Sequence, residues 1–192
     1  KGSAMRFYSN EIGIPLILKL NGKTNLYKGE PLSIQNTSVD EAIKLGAAAV
    51  GYTIYFGSKY EHIMIKEFGK IEEEAHSAGL KVVMWAYPRG SSIKNDESSE
   101  IVAYAARAAF ELGADIVKLK YPEDDDNLEW IVKSAVKTKV FMAGGKKLDD
   151  DKIELRVKKA INAGFDGIAV GRNIWQSKDP VEKIKRLKEI IK

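Results

Sequence analysis

Two hydrophobic periods alternate along this chain. A stretch with apolar positions at helical spacing leads to a glycine, and a short apolar run with β spacing follows. Residues 38–55, "SVDEAIKLGAAAVGYTIY", give the clearest copy. Ser38 and Glu41 have the spacing of a capping box, and Gly46 is placed as the residue just past the helix end. Val50–Tyr55 then reads as a strand. The unit recurs at 72–87 around Gly79, at 104–120 around Gly113 and at 157–172 around Gly164. Pro15–Asn21 and Lys139–Ala143 predict two further strands, the second after a helix around Leu128–Val136. A last helix is expected from Pro180 to Ile191. Helix–strand alternation predicts a parallel sheet with helices outside it.

Six strands of this kind fit either an open doubly wound sheet or part of a (β/α)8 TIM barrel. The strand ends favour the barrel. Asn21-Gly22-Lys23, Trp85–Gly90, Lys118–Tyr121, Gly144-Gly145-Lys146 and Gly171-Arg172-Asn173 are all polar or glycine-rich and all follow apolar runs. A barrel places its active-site residues at that face of its strands. Such barrels take about 250 residues, and this chain has 192. The expectation is a single domain over 1–192, an incomplete parallel TIM barrel of about six βα units, two units short at its N-terminal side.

Charge narrows the partners. The chain carries 31 basic and 27 acidic residues, a net charge of +4 spread along the sequence. That is too mild and too dispersed for a nucleic-acid surface. The acidic runs Glu123–Asp126 and Asp149–Asp151 precede expected helices, where they suit the helix dipole and are expected to face water. With no cysteine there is no disulfide framework, thiolate metal site or thiol nucleophile. No apolar run approaches the ~20 residues of a membrane span, so no membrane partner is expected and a cytoplasmic location fits. His62 and His76 are 14 residues apart, which is not a ligand spacing. Both read as helix-surface or packing residues. The expected chemistry uses no metal and no cofactor.

The strongest candidate chemistry is "IVKLK", 116–120. Strand side chains alternate, so Ile116, Lys118 and Lys120 share one face, and Val117 and Leu119 share the other. The second face is apolar and packs against helices; the first points into the barrel. Lys118 and Lys120 lie roughly 6–7 Å apart along the strand. A free lysine with a pKa of ~10.4 is a poor nucleophile at neutral pH. Burial and a nearby cation both disfavour its charged form, and a neutral amine can attack a carbonyl to form a Schiff base. The bland alternative is a pair of lysines snorkelling at a strand edge. In "VVMWAYPRG", 82–90, Val83, Trp85 and Tyr87 share a face. Tyr87 at the strand end suits proton transfer, and Trp85 suits a pocket wall; core packing is the alternative for both. "AGGKK" and "VGRN" close the last two strands, where glycine loops with Lys146 and Arg172 suit a phosphate.

With these residues in view, "LILKLNGKT" (16–24), "AVGYTIYFGS" (49–58), "WAYPRG" (85–90), "ELGADIVKLKY" (111–121), "GG" (144–145) and "GIAVGRN" (167–173) resemble the archaeal-type class I fructose-bisphosphate aldolases. These are TIM-barrel enzymes related to deoxyribose-phosphate aldolase, and the resemblance spans essentially the whole chain. It implies that Lys118 forms the Schiff base with a ketose phosphate and that Tyr87 is the proton donor. It implies substrate contacts at Trp85, Ala86, Pro88 and Arg89, and at Leu119 and Lys120. Ala143, Gly144, Gly145, Gly171 and Arg172 would hold a phosphate. The implied reaction is cleavage of fructose 1,6-bisphosphate to dihydroxyacetone phosphate and glyceraldehyde 3-phosphate by a cytoplasmic homo-oligomer. The alternatives are a related amino-dideoxy-heptulosonate synthase or other ketose aldolase, and a non-catalytic sugar-phosphate-binding barrel fragment. One departure stands out: the family's first-strand "Asp-His-Gly" motif has no counterpart here.

Overall fold

The structure is a computed structural model that describes residues 1–8, 11 and 13–192. Its helices start and stop where side chains satisfy their free backbone groups. Helix α2, Val39–Lys44, begins where Ser38 Oγ accepts the Glu41 N–H at 3.2 Å. The Glu41 carboxylate pairs with Lys1 at 3.2 Å, so the capping box is half formed. Helix α4, Ser99–Glu111, is capped the same way by Ser98, and helix α8, Pro180–Ile191, by Asp179 with Pro180 in its first turn. Gly46 and Gly113 sit at φ 66° and 84° just past α2 and α4. This left-handed conformation, which disfavours a Cβ, turns each chain from helix into strand.

The strands are β1 (Ile17–Lys19), β2 (Ala49–Phe56), β3 (Lys81–Pro88), β4 (Ile116–Lys120), β5 (Lys139–Ala143) and β6 (Gly167–Ala169). All neighbouring pairs are parallel, and their spatial order equals their sequence order. A doubly wound sheet reverses its strand order at a switch point. This sheet has no reversal and is built as six successive sectors of a (β/α)8 barrel. Among the described residues, β1 pairs only with β2, and β6 only with β5.

β1 is shorter than the expected Pro15–Asn21, for a local reason. Beyond Lys19, Leu20 N–H still bonds to Gly51 O, but Asn21 continues the pairing with its side chain. Its Oδ1 accepts Thr53 N–H at 2.8 Å and its Nδ2 donates to Thr53 O at 2.9 Å. The pattern predicts no element before Pro15; a short helix, α1 (Gly2–Phe7), forms there without a buried residue.

The remaining helices are α3 (Glu61–Ser77), α5 (Leu128–Ser134), α6 (Asp150–Asn162) and α7 (Arg172–Trp175). The core lies between them and the outward strand faces. Val50, Tyr52 and Ile54 of β2, Met84 of β3, and Val117 and Leu119 of β4 are fully buried there with Phe68, Val102, Ile131 and Val157. Each large side chain so buried contributes ~1.5–3 kcal/mol.

The acidic runs face water at helix starts as expected, Asp125 alone being half-buried, and several of their carboxylates also accept hydrogen bonds. Asp124 accepts both the N–H and the hydroxyl of Ser99, at 2.7 and 2.8 Å, and Glu123 N–H bonds to Glu97 O. Asp125 accepts from Tyr121 Oη and Lys159 Nζ. These contacts stitch the β3–α4 and β4–α5 connections together, because the turn at Asp125–Asn127 swings the carboxylates towards neighbouring donors before α5 starts. In the second run, Asp150 meets Lys183 Nζ at 3.2 Å. His76 lies on the surface of α3 as expected, and there it sits between Glu72 and Asp115, at 2.7 and 2.8 Å.

Candidate active site

Strand register brings the inward residues into rows. Trp85 pairs with Thr53 on β2 and Lys118 on β4, Lys118 with Phe141 on β5, and Phe141 with Gly167 on β6. One step towards the strand starts, Lys19 pairs with Gly51. Two glycines in these rows make room for aromatic rings. A Cβ on Gly51 would come within 2.1 Å of the Trp85 indole, and one on Gly167 within 2.7 Å of the Phe141 ring. Each ring therefore leans away from Lys118 over a bare neighbouring strand.

The Lys118 amine lies 5.5 Å from the Trp85 ring centroid, and the Lys19 amine 5.8 Å from it. Among the described residues no carboxylate pairs with either amine. Burial lowers the pKa of both, and the Lys19 charge lowers Lys118 further. These are the two influences that turn a lysine into a nucleophile. Lys120, two residues along the same strand face, is the cation that the sequence pattern puts beside Lys118. The structure gives that place to Lys19, because Lys120 is held by Asp96 and, at 3.6 Å, by Glu97. Lys19 was legible in principle: in "ILK" it alternates with apolar Leu18 and Leu20, as Lys118 does with Val117 and Leu119.

Tyr87, two residues beyond Trp85, shares the inward face. Burial and the neighbouring Tyr55 push its hydroxyl up to about 12, while Arg89 pulls it down. At neutral pH it is a phenol. Arg89, just past β3, places its guanidinium 6.0 Å from the Tyr55 ring centroid. Ala86 and Leu119 point the other way, fully buried in the helix-side core. Pro88 is buried too, on that same side of β3. Their side chains do not reach the inner face; alternation of the strand puts them one position out of phase with Tyr87 and Lys118.

The two glycine loops meet as expected at the ends of β5 and β6. Arg172 Nη2 donates to Gly145 O at 2.8 Å. Ala143 ends β5 on the inward face, buried at 8% exposure. Gly144 is packed so closely that a Cβ would come within 2.8 Å of Val170. Sequence reasoning missed Asn173, which joins the loops. It is 2% exposed; its amide donates to Gly144 O and Lys146 O, and its Oδ1 accepts Leu148 N–H at 2.7 Å. The signal was the asparagine closing "VGRN", next to the arginine that drew attention.

Among the described residues no three His, Asp or Glu side chains are grouped to hold a metal, and no helix is long and apolar enough to cross a membrane.

Known proteins share this sequence pattern and fold. The model of the DeoC/LacD family of aldolases matches residues 2–177. The class 1 fructose-bisphosphate aldolase of Thermoproteus tenax is 48% identical over 192 residues, which cover all of this chain and 72% of that protein. The Halobacterium salinarum protein of the same name is 46% identical, over all of this chain and 73% of its own length. An archaeal fructose 1,6-bisphosphate aldolase crystal structure superposes with a TM-score of 0.95 at 48% identity, covering 100% of this chain and 75% of that one. A second archaeal aldolase structure, with its catalytic lysine covalently bound to a carbinolamine intermediate, gives 0.95 at 47% identity, covering 99% and 75%. The chain belongs to the DeoC/LacD family of aldolases.

Proposed function

We propose that this chain carries the Schiff-base chemistry of a class I fructose-bisphosphate aldolase, with Lys118 as nucleophile and Tyr87 as proton carrier. The observation that carries the reading is the unpaired, partly buried Lys118 amine beside Trp85 and a second amine, Lys19. A buried lysine kept for structure is normally paired; one kept for nucleophilic attack is desolvated and left free.

The steps follow from those groups. Neutral Lys118 adds to the C2 carbonyl of the ketose phosphate, giving a carbinolamine. The Tyr87 phenol protonates the departing hydroxyl, water leaves, and an iminium forms beside a Tyr87 phenolate. A phenol with a pKa near 12 is a reluctant acid, but the adjacent iminium cation favours the phenolate as it forms. The phenolate takes the C4 hydroxyl proton, the C3–C4 bond breaks into the iminium, and glyceraldehyde 3-phosphate departs. Tyr87 then returns its proton to C3 of the enamine, and hydrolysis releases dihydroxyacetone phosphate and free Lys118. One tyrosine thus serves each transfer, and the nearby acids Asp96 and Glu97 are engaged with Lys120. A substrate phosphate rests on the Gly144–Gly145 and Gly171–Arg172 loops that Asn173 holds together. Trp85, Arg89 and Ala143 line the way to them. The same reading takes the protein as a cytoplasmic homo-oligomer.

Borohydride reduction with dihydroxyacetone phosphate, followed by peptide mass mapping, tests it. The expected adduct is on Lys118 and is absent from Lys118→Met. A folded protein that gives no adduct, or an equal adduct in Lys118→Met, defeats the reading and leaves a barrel segment that binds sugar phosphates without turnover.

A further inference from the structure

Tyr55 and Tyr87 are register partners on β2 and β3, on the same inward face. Tyr55 is 8% exposed, and neither hydroxyl has a hydrogen-bond partner among the described residues. The buried hydroxyls without a partner among the described residues are those of Ser33 and Thr53, so the two phenol oxygens open onto the inner face, where they can meet a group that arrives there. The strand exits are also fastened at this level. Arg89 N–H bonds to Phe56 O at 2.8 Å, and Gly90 packs so tightly that a Cβ would lie 2.3 Å from Gly57 O. The two phenols are thus held side by side at a rigid point. Arg89 covers Tyr55 from the end of β3, and the other charged groups on the inward strand faces among the described residues are Lys19 of β1 and Lys118 and Lys120 of β4, the last neutralised by Asp96 and Glu97.

We propose that Tyr55 is a positioning residue for proton transfer: its hydroxyl donates a hydrogen bond to Tyr87 Oη when Tyr87 is a phenolate, aiming that oxygen at the reacting carbon, with Arg89 balancing the charge. The inference rests on the aldolase reading. No proton leaves Tyr55 in the cycle; it supplies a donor to the phenolate and withdraws when the phenol returns. Charge-assisted bonds of this kind are the short, strong ones, so the arrangement orients Tyr87 only in the covalent intermediate, where orientation matters.

Two measurements on the same protein separate this role from a structural one. Borohydride trapping with dihydroxyacetone phosphate reads imine formation at Lys118. Deuterium exchange at C3 of the same compound, followed by NMR, reads proton transfer within the imine. Tyr55→Phe is expected to keep the adduct yield and to slow exchange about tenfold, and Tyr55→Leu to do the same. In a Tyr87→Phe background, Tyr55→Phe is expected to add no further loss, because it acts through that oxygen. Unchanged exchange in Tyr55→Phe overturns the inference, as does an equal additional loss in the Tyr87→Phe background. Parallel loss of adduct and exchange also overturns it, since Tyr55 then only holds the site together. Absence of any adduct in the unaltered protein instead defeats the aldolase reading and this inference with it; an adduct with unchanged exchange defeats this inference alone.

Discussion

The two ends of β3 and β4 treat charge in opposite ways. At their starts, Lys81, Asp115 and His76 form a closed cluster. Asp115 accepts from Lys81 Nζ, His76 Nε2 and Val82 N–H, each at 2.8 Å, and His76 also meets Glu72. Five residues further along the chain from Val82, the Tyr87 hydroxyl has no hydrogen-bond partner among the described residues, and three beyond Asp115, the Lys118 amine has no carboxylate partner among them. The same two strands therefore carry one cluster in which every charge is matched and one in which matching has been withheld. A matched charge lowers the free energy of the fold. An unmatched, desolvated amine raises it and is chemically available. In a barrel this division follows the axis, with stability at the strand starts and chemistry at the strand ends.

The comparison breaks most sharply at Tyr87. Tyr87→Phe removes the proton carrier and leaves the nucleophile. Loss of general acid–base catalysis typically costs about 10²–10⁴-fold in rate. On the aldolase reading, C3 exchange of dihydroxyacetone phosphate is expected to fall by that order while the Lys118 adduct still accumulates, more slowly because dehydration of the carbinolamine also uses Tyr87; unchanged exchange would take Tyr87 out of proton transfer.

Lys19→Met tests whether unmatched charge is the price of reactivity. Without the Lys19 cation the Lys118 pKa moves back up, so less free amine is present at neutral pH. Trapping at pH 7 is expected to slow several-fold, and the pH midpoint of the trapping rate to move upwards. The sign for stability is opposite. An amine whose folded pKa is lowered destabilises the fold at every pH below that value, where it must carry its charge. Its removal is expected to raise stability at pH 7 by roughly 0.5–2 kcal/mol, measured by urea denaturation. A variant that traps as fast as the parent would take Lys19 out of the site.

How far the sequence reveals this division depends on the range of the interactions. Helix–glycine–strand units are local, and their order dictates the parallel sheet; Ser38, Gly46 and Asp179 act within a few residues of their own helices. The inward face of "IVKLK" follows from alternation alone. What alternation does not supply is which lysine a third strand brings opposite. Lys19 and Lys118 are 99 positions apart and meet only because β1 through β4 pair in sequential register around Gly51 and Trp85. Lys120 looked like the assisting cation because it is near in sequence, and Asp96 and Glu97, from another connection, neutralise it. Asp124 and Asp125 face water as their position before a helix predicts, but their partners Ser99 and Lys159 lie too far along the chain for a local pattern to show them. The inclusion of Ala86 and Leu119 among substrate contacts followed the resemblance, against an alternation that sends both to the helices.

At the strand starts, Asp115→Asn keeps the shape and removes the charge that Lys81 and His76 share. Hydrogen bonds to charged groups contribute about 1.5–3 kcal/mol each when buried. Asp115 is only partly covered, at 21% side-chain exposure, so screening reduces the total. A loss of about 1–2 kcal/mol in urea denaturation is expected, with borohydride trapping of Lys118 unchanged. A drop in trapping at a temperature where the variant remains folded would show that the two clusters are coupled.

The smallest effect is a pH dependence of the same cluster. Asp115 raises the His76 pKa above its ordinary value near 6.5, chiefly through their hydrogen bond, with Glu72 adding to it. Asp115 itself is held below the usual carboxylate range by Lys81, His76 and the Val82 N–H, against its own partial burial. A histidine with a raised folded pKa contributes stability that is complete below about 6.5 and is lost as pH rises through the folded value. A carboxylate with a lowered folded pKa contributes above its unfolded value and is lost as pH falls through the folded one. The His76–Asp115 pair therefore contributes most between those limits, in mildly acidic solution. His76 is 38% exposed at its side chain, so the contribution is that of a screened surface pair, roughly 0.5 kcal/mol. The parent is expected to lose that much more stability between pH 6 and pH 8.5 than His76→Gln, in paired thermal melts at the two pH values. An identical pH response in the two proteins would mean that His76 binds its proton equally well folded and unfolded. The charge of Asp115 would then be matched in effect by Lys81, and His76 would add no pH-dependent stability to the strand-start cluster.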